Sequence, residues 1–500
     1  MAAIAVDAGT TMIKAVGYDD AGIETVVVRL PTAVGHPHPG WAEQDMDSVW
    51  NAVAAGIRSV ATQLEGTIDF LAITGQGDGS WLVDSDGNPT GPAVLWNDGR
   101  AGAIVEQWRG EGILDETFAT NGSLTFAGLP NAILAWFSQH DPQRLRSSAA
   151  SLTCDGYLFL KLTGVAAVDG SDGAAPFLDI RSKEYAPGLF AAYDLAWARD
   201  LMPDVLADSD RTRPLAPAAA SEVGLPAGTP VVMSSYDIAS TSIGAGAVLP
   251  GQACSILGTT LCTEVVIDRI DTTGAPAGLT VALGIDGRYL RALPTLAGGE
   301  VIQWACAMLN CATPAEFTEL AARSAPGAEG LIFLPYLSPA GERAPFLDPQ
   351  ARGSFLGLSL AHGRAELARA VLEGLTFVIR DCLEAAGPAP TELRVCGGGA
   401  DNAMWLGLIA TMTGIPVRRL ADAEVGARGA FLVGLAATGG AASVEEAVAA
   451  HVRIDASHEP SAADSGFYDR LYTDFLTLRE DARRSWPVLA RLRADSRVSL

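Results

Sequence analysis

Short uninterrupted apolar runs, each closed by Gly, Thr or Asp, alternate along the chain with stretches whose apolar residues recur at helical spacing. Residues 3–6 form the first run and break at Asp7-Ala8-Gly9-Thr10-Thr11. A second run then continues through Val16, a pattern that predicts two buried strands joined by a tight hairpin. Asp45-Met46-Asp47 opens a helix that sets Val49, Trp50, Val53 and Ile57 on one face. Residues 70–74 read as another buried strand, ending in Gly75-Gln76-Gly77-Asp78-Gly79. Trp81-Leu82-Val83 and the turn Asp84-Ser85-Asp86-Gly87 follow. Strands alternating with helices argue for an α/β architecture.

The same grammar returns further on. Residues 230–233 predict a buried strand that ends at Ser234-Ser235-Tyr236-Asp237, after a Pro/Ala-rich stretch over 214–230. Ser255-Ile256-Leu257 leads through Gly258-Thr259-Thr260 into an alternating run over 261–267. Two Gly-Thr-Thr turns, each between hydrophobic strands, look like one unit used twice, the mark of two related halves. A strand over 331–336 enters a polar loop, and Leu367, Val371, Leu375 and Val378 give a core-facing helix over 367–385. Arg394-Val395-Cys396 runs into Gly397-Gly398-Gly399-Ala400, where glycines permit close backbone approach to a ligand. Gly426-Ala427-Arg428-Gly429-Ala430 begins a small-residue helix that packs closely on a neighbour, and the tail from about residue 457 reads as an outer helix.

A length of 500 residues provides for two or more domains, and 49% hydrophobic with 18% charged residues is ordinary for a globular protein. The 58 acidic against 34 basic side chains leave a formal charge of -24 with no clustered basic patch, which excludes nucleic acid and anionic membrane surfaces as main partners. Only Lys14, Lys161 and Lys183 occur and none follows a glycine, so no Gly-Lys-Ser/Thr phosphate loop is present. The seven cysteines (154, 254, 262, 306, 311, 382 and 396) have neither Cys-x-x-Cys spacing nor neighbouring His pairs. Reduced thiols in a cytoplasmic protein are expected from them. Neither a signal peptide nor a membrane-spanning run is expected.

Two kinds of chemistry emerge. The turns at Gly9-Thr10-Thr11 and Gly258-Thr259-Thr260 offer backbone amides and hydroxyls suited to phosphate oxygens, and Lys14 could add a point charge. Hairpins with locally bonded Thr hydroxyls are the alternative for each turn alone. Asp7, Asp78 and Asp237 lie at or just past the ends of predicted buried strands, where open α/β sheets bind ligands. An Asp there accepts a substrate proton or holds magnesium. Helix capping, the role Asp45 illustrates, is the other reading. The six histidines have no evident partners, and a serine hydrolase reading lacks the Gly-x-Ser-x-Gly elbow.

Taken in order, these segments resemble the FGGY family of carbohydrate kinases, within the actin/hexokinase-like superfamily. The resemblance covers nearly the whole chain. Asp7-Ala8-Gly9-Thr10-Thr11 with Lys14 is similar to the family's first phosphate motif, Gly258-Thr259-Thr260 to the second, and Gly397-Gly398-Gly399-Ala400 to its adenosine motif. Pro39-Gly40-Trp41-Ala42-Glu43-Gln44-Asp45 resembles the sugar-side segment, and Leu95-Trp96-Asn97-Asp98-Gly99-Arg100 the xylulose kinase version of another. Most specific is Phe333-Leu334-Pro335-Tyr336-Leu337 through Gly341-Glu342-Arg343-Ala344-Pro345, followed by Arg369-Ala370-Val371-Leu372-Glu373-Gly374.

The resemblance implies two RNase H-like α/β domains flanking a central cleft: 1–246 on the sugar side, 247–456 on the nucleotide side, and a helical tail over 457–500. It implies Asp237 as the catalytic base and Trp41, Gln76, Gly77, Asp78 and Trp96 as substrate-binding residues. Thr10, Thr11, Lys14, Gly258, Thr259, Gly299, Gln303, Gly398, Gly399 and Asn402 would meet the nucleotide, and Asp7 would organise magnesium. ATP and Mg2+ are the implied cofactors, a sugar or polyol the partner, and a homodimer one assembly the family allows. Positioning and charge neutralisation suffice for phosphoryl transfer, so these groups are chemically adequate.

Departures bear on the acceptor. Gln76-Gly77-Asp78-Gly79 stands where xylulose kinases usually carry Gln-Met-His-Gly, Ile238 follows the implied base where Asn or Gln is common, and Ile133 replaces a family Lys. Gln-Gly-Asp-Gly-Ser-Trp and Tyr-Asp-Ile more nearly resemble erythritol and L-xylulose kinases, and residues 340–346 lean the same way. The expectation is an ATP-dependent kinase of a ketopentose or small polyol, erythritol-type tetritols and pentitols being the alternative. A non-sugar ATPase of the actin and chaperone class is the competitor from a different class, opposed by Trp41, Gln76, Asp78 and Asp237.

Overall fold

The computed structural model describes residues 1–498 and divides into two compact units. The first comprises Met1–Leu249, Val266–Arg291 and Glu424–Val452; the second comprises Pro250–Val265, Ala292–Ala423 and the chain from Arg453 onward.

The first unit is built on a six-stranded sheet. Its order is Thr212–Pro214, Pro230–Met233, Ile68–Gly75, Ala2–Ala8, Met12–Tyr18, Glu24–Pro31. Ala2–Ala8, buried at every position, pairs antiparallel with Met12–Tyr18 and parallel with Ile68–Gly75. The Gly9-Thr10-Thr11 turn therefore closes a hairpin in which Asp7 faces Lys14 across the ladder. Alternation sends the two sets of side chains to opposite faces. Ile4, Val6 and Ala8 join a core with Val49, Trp50, Val53 and Ile57 of helix Met46–Gln63, whose N-terminus is capped by Asp45. On the other face Tyr18 and Phe70 stack on Phe431 of helix Val425–Ala437.

The second unit repeats the hairpin. Gln252–Leu257 pairs antiparallel with Leu261–Ile267 around the Gly258 turn and parallel with Glu392–Cys396. Val417–Leu420 and Ile454–His458 extend this sheet. In each unit the strand beside the hairpin ends in a glycine-rich loop: Ile68–Gly75 at Gly75 to Gly79, Glu392–Cys396 at Gly397 to Gly399. The repetition suspected from two short turns is thus a repetition of surroundings. The region read as a helical tail from residue 457 starts differently, because residues 454–458 form an edge strand before helix Ser465–Arg483. Their alternating, mostly solvent-facing side chains suit the rim of a sheet. No helix among the described residues is long and apolar enough to cross a membrane.

Candidate active site

Asp7 is the penultimate residue of its strand and only 7% exposed. Its Oδ2 accepts a hydrogen bond from Lys14 Nζ at 3.0 Å, and Glu424 Oε2 lies 3.6 Å from the same ammonium. These two carboxylates hold the Lys14 pKa well above its ordinary value, Asp7 contributing most. Arg29 Nε donates to Glu424 Oε1 at 2.7 Å, so two cations and two carboxylates form one alternating cluster. Lys14→Met would leave Asp7 and Glu424 without this shared partner. A loss of about 1–3 kcal/mol is expected, the cost of leaving a buried polar group without its partner, measurable by denaturant unfolding at neutral pH.

The start of helix Val425–Ala437 lies on Asp7, and a side chain at Gly426 would bring its first carbon within 2.8 Å of Asp7 Oδ2. Glycine there lets the positive end of the helix approach the carboxylate. Glu424 and Gly426 lie more than four hundred residues after Asp7 in sequence. The small-residue run was the one sequence sign of this contact.

Thr10 has a different setting from the phosphate contact expected of it. Trp96 Nε1 donates to Thr10 Oγ1 at 2.9 Å, and that hydroxyl donates to Gln76 Oε1 at 2.8 Å. Gln76 Nε2 donates to Gln44 Oε1 at 2.7 Å, and Gln44 Nε2 returns to the Thr10 carbonyl at 2.6 Å. This closed circuit fixes Gln76 and Trp96, two predicted acceptor-side residues, and adds Gln44. Thr11 is exposed, and its carbonyl accepts from Thr32 N–H at 3.0 Å. Trp41 is held separately: the Arg100 guanidinium lies 3.9 Å over its ring and pairs with Asp98 and Glu43.

Asp237 is the first residue of helix Asp237–Gly244 and is half-buried. Burial, reinforced by the charges of Asp7, Asp78 and Asp155, pushes its carboxyl up to about 8. Asp78 itself adopts a left-handed backbone, φ 57°. Behind Asp237, buried Asp155 is raised to about 6 and Asp172 well above the ordinary range, desolvation being the main cause for both. The structure thus gathers Asp7, Thr10, Lys14, Gln76, Gly77, Asp78, Trp96 and Asp237 in the first unit.

The remaining predicted residues lie in the second unit. Gly299 N–H donates to Gly258 O at 2.9 Å, and a side chain on Gly299 would meet that oxygen at 2.5 Å. Helix Gly299–Met308 therefore starts directly on the Gly258 turn, while Thr259 and Gln303 are exposed. Gly397, at φ 85°, and Gly399 pack on Leu257, and Gly398 has open space beside it. Asn402 caps helix Ala403–Thr413 and donates to Thr318 Oγ1 at 2.7 Å. Bare backbone at Gly258 and Gly398, beside a helix N-terminus, fits a nucleotide's phosphates and sugar. Among the described residues no three Asp, Glu, His or Cys side chains form a metal-binding group. Magnesium needs only one or two carboxylates, with water and phosphate completing its shell, a demand the Asp7 carboxyl could meet.

This geometry has close counterparts. The chain is 33% identical to an erythritol kinase from Brucella abortus (strain 2308), over 97% of each protein. It is 30% identical to a xylulose kinase from Escherichia coli (strain K12), over 98% of this chain and 100% of the relative. Its fold superposes on the ligand-bound xylulose kinase from Lactobacillus acidophilus with a TM-score of 0.93 at 23% identity, over 98% and 99% of the two chains. The protein is a carbohydrate kinase, a phosphotransferase that uses ATP and an alcohol acceptor, on a mixed α/β fold of two units. It belongs to the FGGY family of carbohydrate kinases, whose N-terminal domain matches residues 2–244 and whose C-terminal domain matches residues 253–438.

Proposed function

We propose that the acceptor is a small acyclic polyol or ketose and that Asp237 is the general base. The observation that carries this reading is the Asp237 carboxyl, raised to about 8 at a helix start and pressed by the charges of Asp7 and Asp78. A base poised near the working pH takes a hydroxyl proton most effectively. Gln76 and Asp78, with the Trp96 and Trp41 rings, hold the acceptor, Asp78 by charge-assisted hydrogen bonds. The turn at Gly258 and Thr259 holds phosphates, the Gly398-Gly399 loop lies against the adenosine, and Gly299, Gln303 and Asn402 line the nucleotide side. Lys14 pairs with Asp7, and Asp7 holds magnesium, directly or through water. Bound there, the ion neutralises phosphate charge. Backbone amides of the Thr10-Thr11 turn orient the transferred group.

The names of the relatives divide between erythritol and xylulose, so the acceptor is to be read by assay. A coupled ADP-release screen over tetritols, pentitols, pentuloses and glycerol is expected to single out a four- or five-carbon acceptor. ATP turnover indifferent to every acceptor would overturn the reading. Seven cysteines without paired spacing fit a reducing cytoplasm as the place of work.

A further inference from the structure

Gly77 and Tyr236 are in unusually close contact. A side chain on Gly77 would place its first carbon 2.2 Å from Tyr236 Cδ2 and 2.4 Å from Cε2, well inside any tolerable separation. The tyrosine ring therefore occupies the space that a side chain at position 77 would need, and Tyr236 is only 4% exposed.

The backbone that carries the ring is tied down. Tyr236 N–H donates to Ser171 Oγ at 3.0 Å, and Ser171 Oγ donates to Asp169 Oδ1 at 2.6 Å. Asp169 Oδ1 also accepts from the backbone N–H of Ser171 and Asp172. The main chain at Tyr236 is thereby tied to a buried turn, and Gly284 confines the adjoining Ser235, since a side chain there would come within 2.6 Å of Ser235 Oγ.

Position matters as much as packing. Gly77 stands between Gln76 and Asp78, and Tyr236 immediately precedes Asp237. The ring thus sits at the junction of the Gln76-Gly77-Asp78 turn and Asp237, the residues assigned above to the acceptor and the base. Resting on the acceptor-side reading proposed above, we infer that Tyr236, admitted by Gly77, is the specificity-determining residue that restricts the acceptor to a four-carbon polyol. A fifth carbon with its hydroxyl competes with the ring for the same space. Pockets discriminate single carbon units by about 10–200-fold, so one ring suffices.

The test measures kcat/KM for erythritol and for D- and L-xylulose in the wild type, Tyr236→Phe, Tyr236→Ala and Tyr236→Leu. The wild type is expected to prefer the tetritol. Tyr236→Ala is expected to lower the four-carbon to five-carbon ratio by about 10-fold or more, the scale of one carbon unit. Tyr236→Phe keeps the ring and leaves the ratio within about threefold, which is less than one carbon unit. Tyr236→Leu fills the space on Gly77 while shortening the outer wall, so it lowers the ratio even if the alanine variant fails to fold. A wild-type preference for the pentuloses, or a ratio unchanged in the folded leucine or alanine variant, overturns the inference. Retained turnover in Asp237→Asn would instead overturn the underlying site assignment, so the two failures are distinguishable.

Discussion

Asp237→Asn is expected to lower turnover by about 10³-fold, the middle of the range for general base catalysis, while making the protein more stable at alkaline pH. The amide fills the same volume at the helix start but cannot take the acceptor proton. The stability gain follows from the sign of the shift. The Asp237 carboxyl rises from an ordinary value of 3.8 to about 8 in the folded chain. The folded state therefore binds this proton more tightly than the unfolded state, and wild-type stability falls as pH rises from about 4 to about 8. Asparagine has no such dependence. The two proteins should melt alike near pH 4, diverge through neutrality, and keep a constant gap above pH 8. Thermal melts from pH 4 to 9 check this, alongside a rate profile whose rising acidic limb belongs to wild type alone. Equal melting at pH 9 would show that Asp237 is not destabilised by its neighbours. Nucleotide binding in the variant should persist, since the turns proposed to hold it, at Gly258 and Gly398, lie in the second unit.

The pattern of legibility in the sequence has a physical basis. The hairpins around Gly9 and Gly258, the helix after Asp45 and the strands entering Gly75 and Gly397 were readable because each is specified by contiguous apolar runs and local turn residues. Helix Met46–Gln63 shows this well, with its cap and buried face both predicted. What escaped are contacts whose partners are distant in sequence. Glu424 with Lys14, Gln44 with Gln76, Ser171 with Tyr236 and the ring of Tyr236 on Gly77 leave no local periodicity. The strand Ile454–His458 escaped for the converse reason, since an edge strand with polar, exposed positions lacks an apolar run. The helices from Gly102 to Ser147 were not resolved from the sequence, their short lengths of 6 to 11 residues giving little periodic signal. Thr10 illustrates a subtler limit. Its motif suggested phosphate, and its hydroxyl hydrogen bonds join Trp96 to Gln76, two residues expected on the acceptor side, a link between distant segments that the motif alone does not carry.

Gly429→Ala is expected to produce a large loss of stability for so small a change. A methyl there would lie 1.8 Å from the Ser240 carbonyl oxygen and 2.6 Å from its carbon. Gly244 makes the reciprocal contact, its added carbon falling 1.9 Å from Val425 O. Helices Asp237–Gly244 and Val425–Ala437 therefore meet backbone to backbone, and no rotamer change relieves the clash. Overpacking of a close-packed core costs about 1–3 kcal/mol, and with backbone on both sides a loss at or above the top of that range is expected. The same helices carry Asp237 at one N-terminus and cover Asp7 with the other, so turnover falls together with stability. Gly407→Ala supplies the contrast. Gly407 lies within helix Ala403–Thr413 with nothing within 4 Å of an added carbon, so alanine should stabilise by about 0.5–1 kcal/mol through reduced backbone entropy. Denaturant unfolding of both variants separates the two effects. A neutral Gly429→Ala would mean that the helices do not touch as described, and the placement of Asp237 beside Asp7 would lose its support.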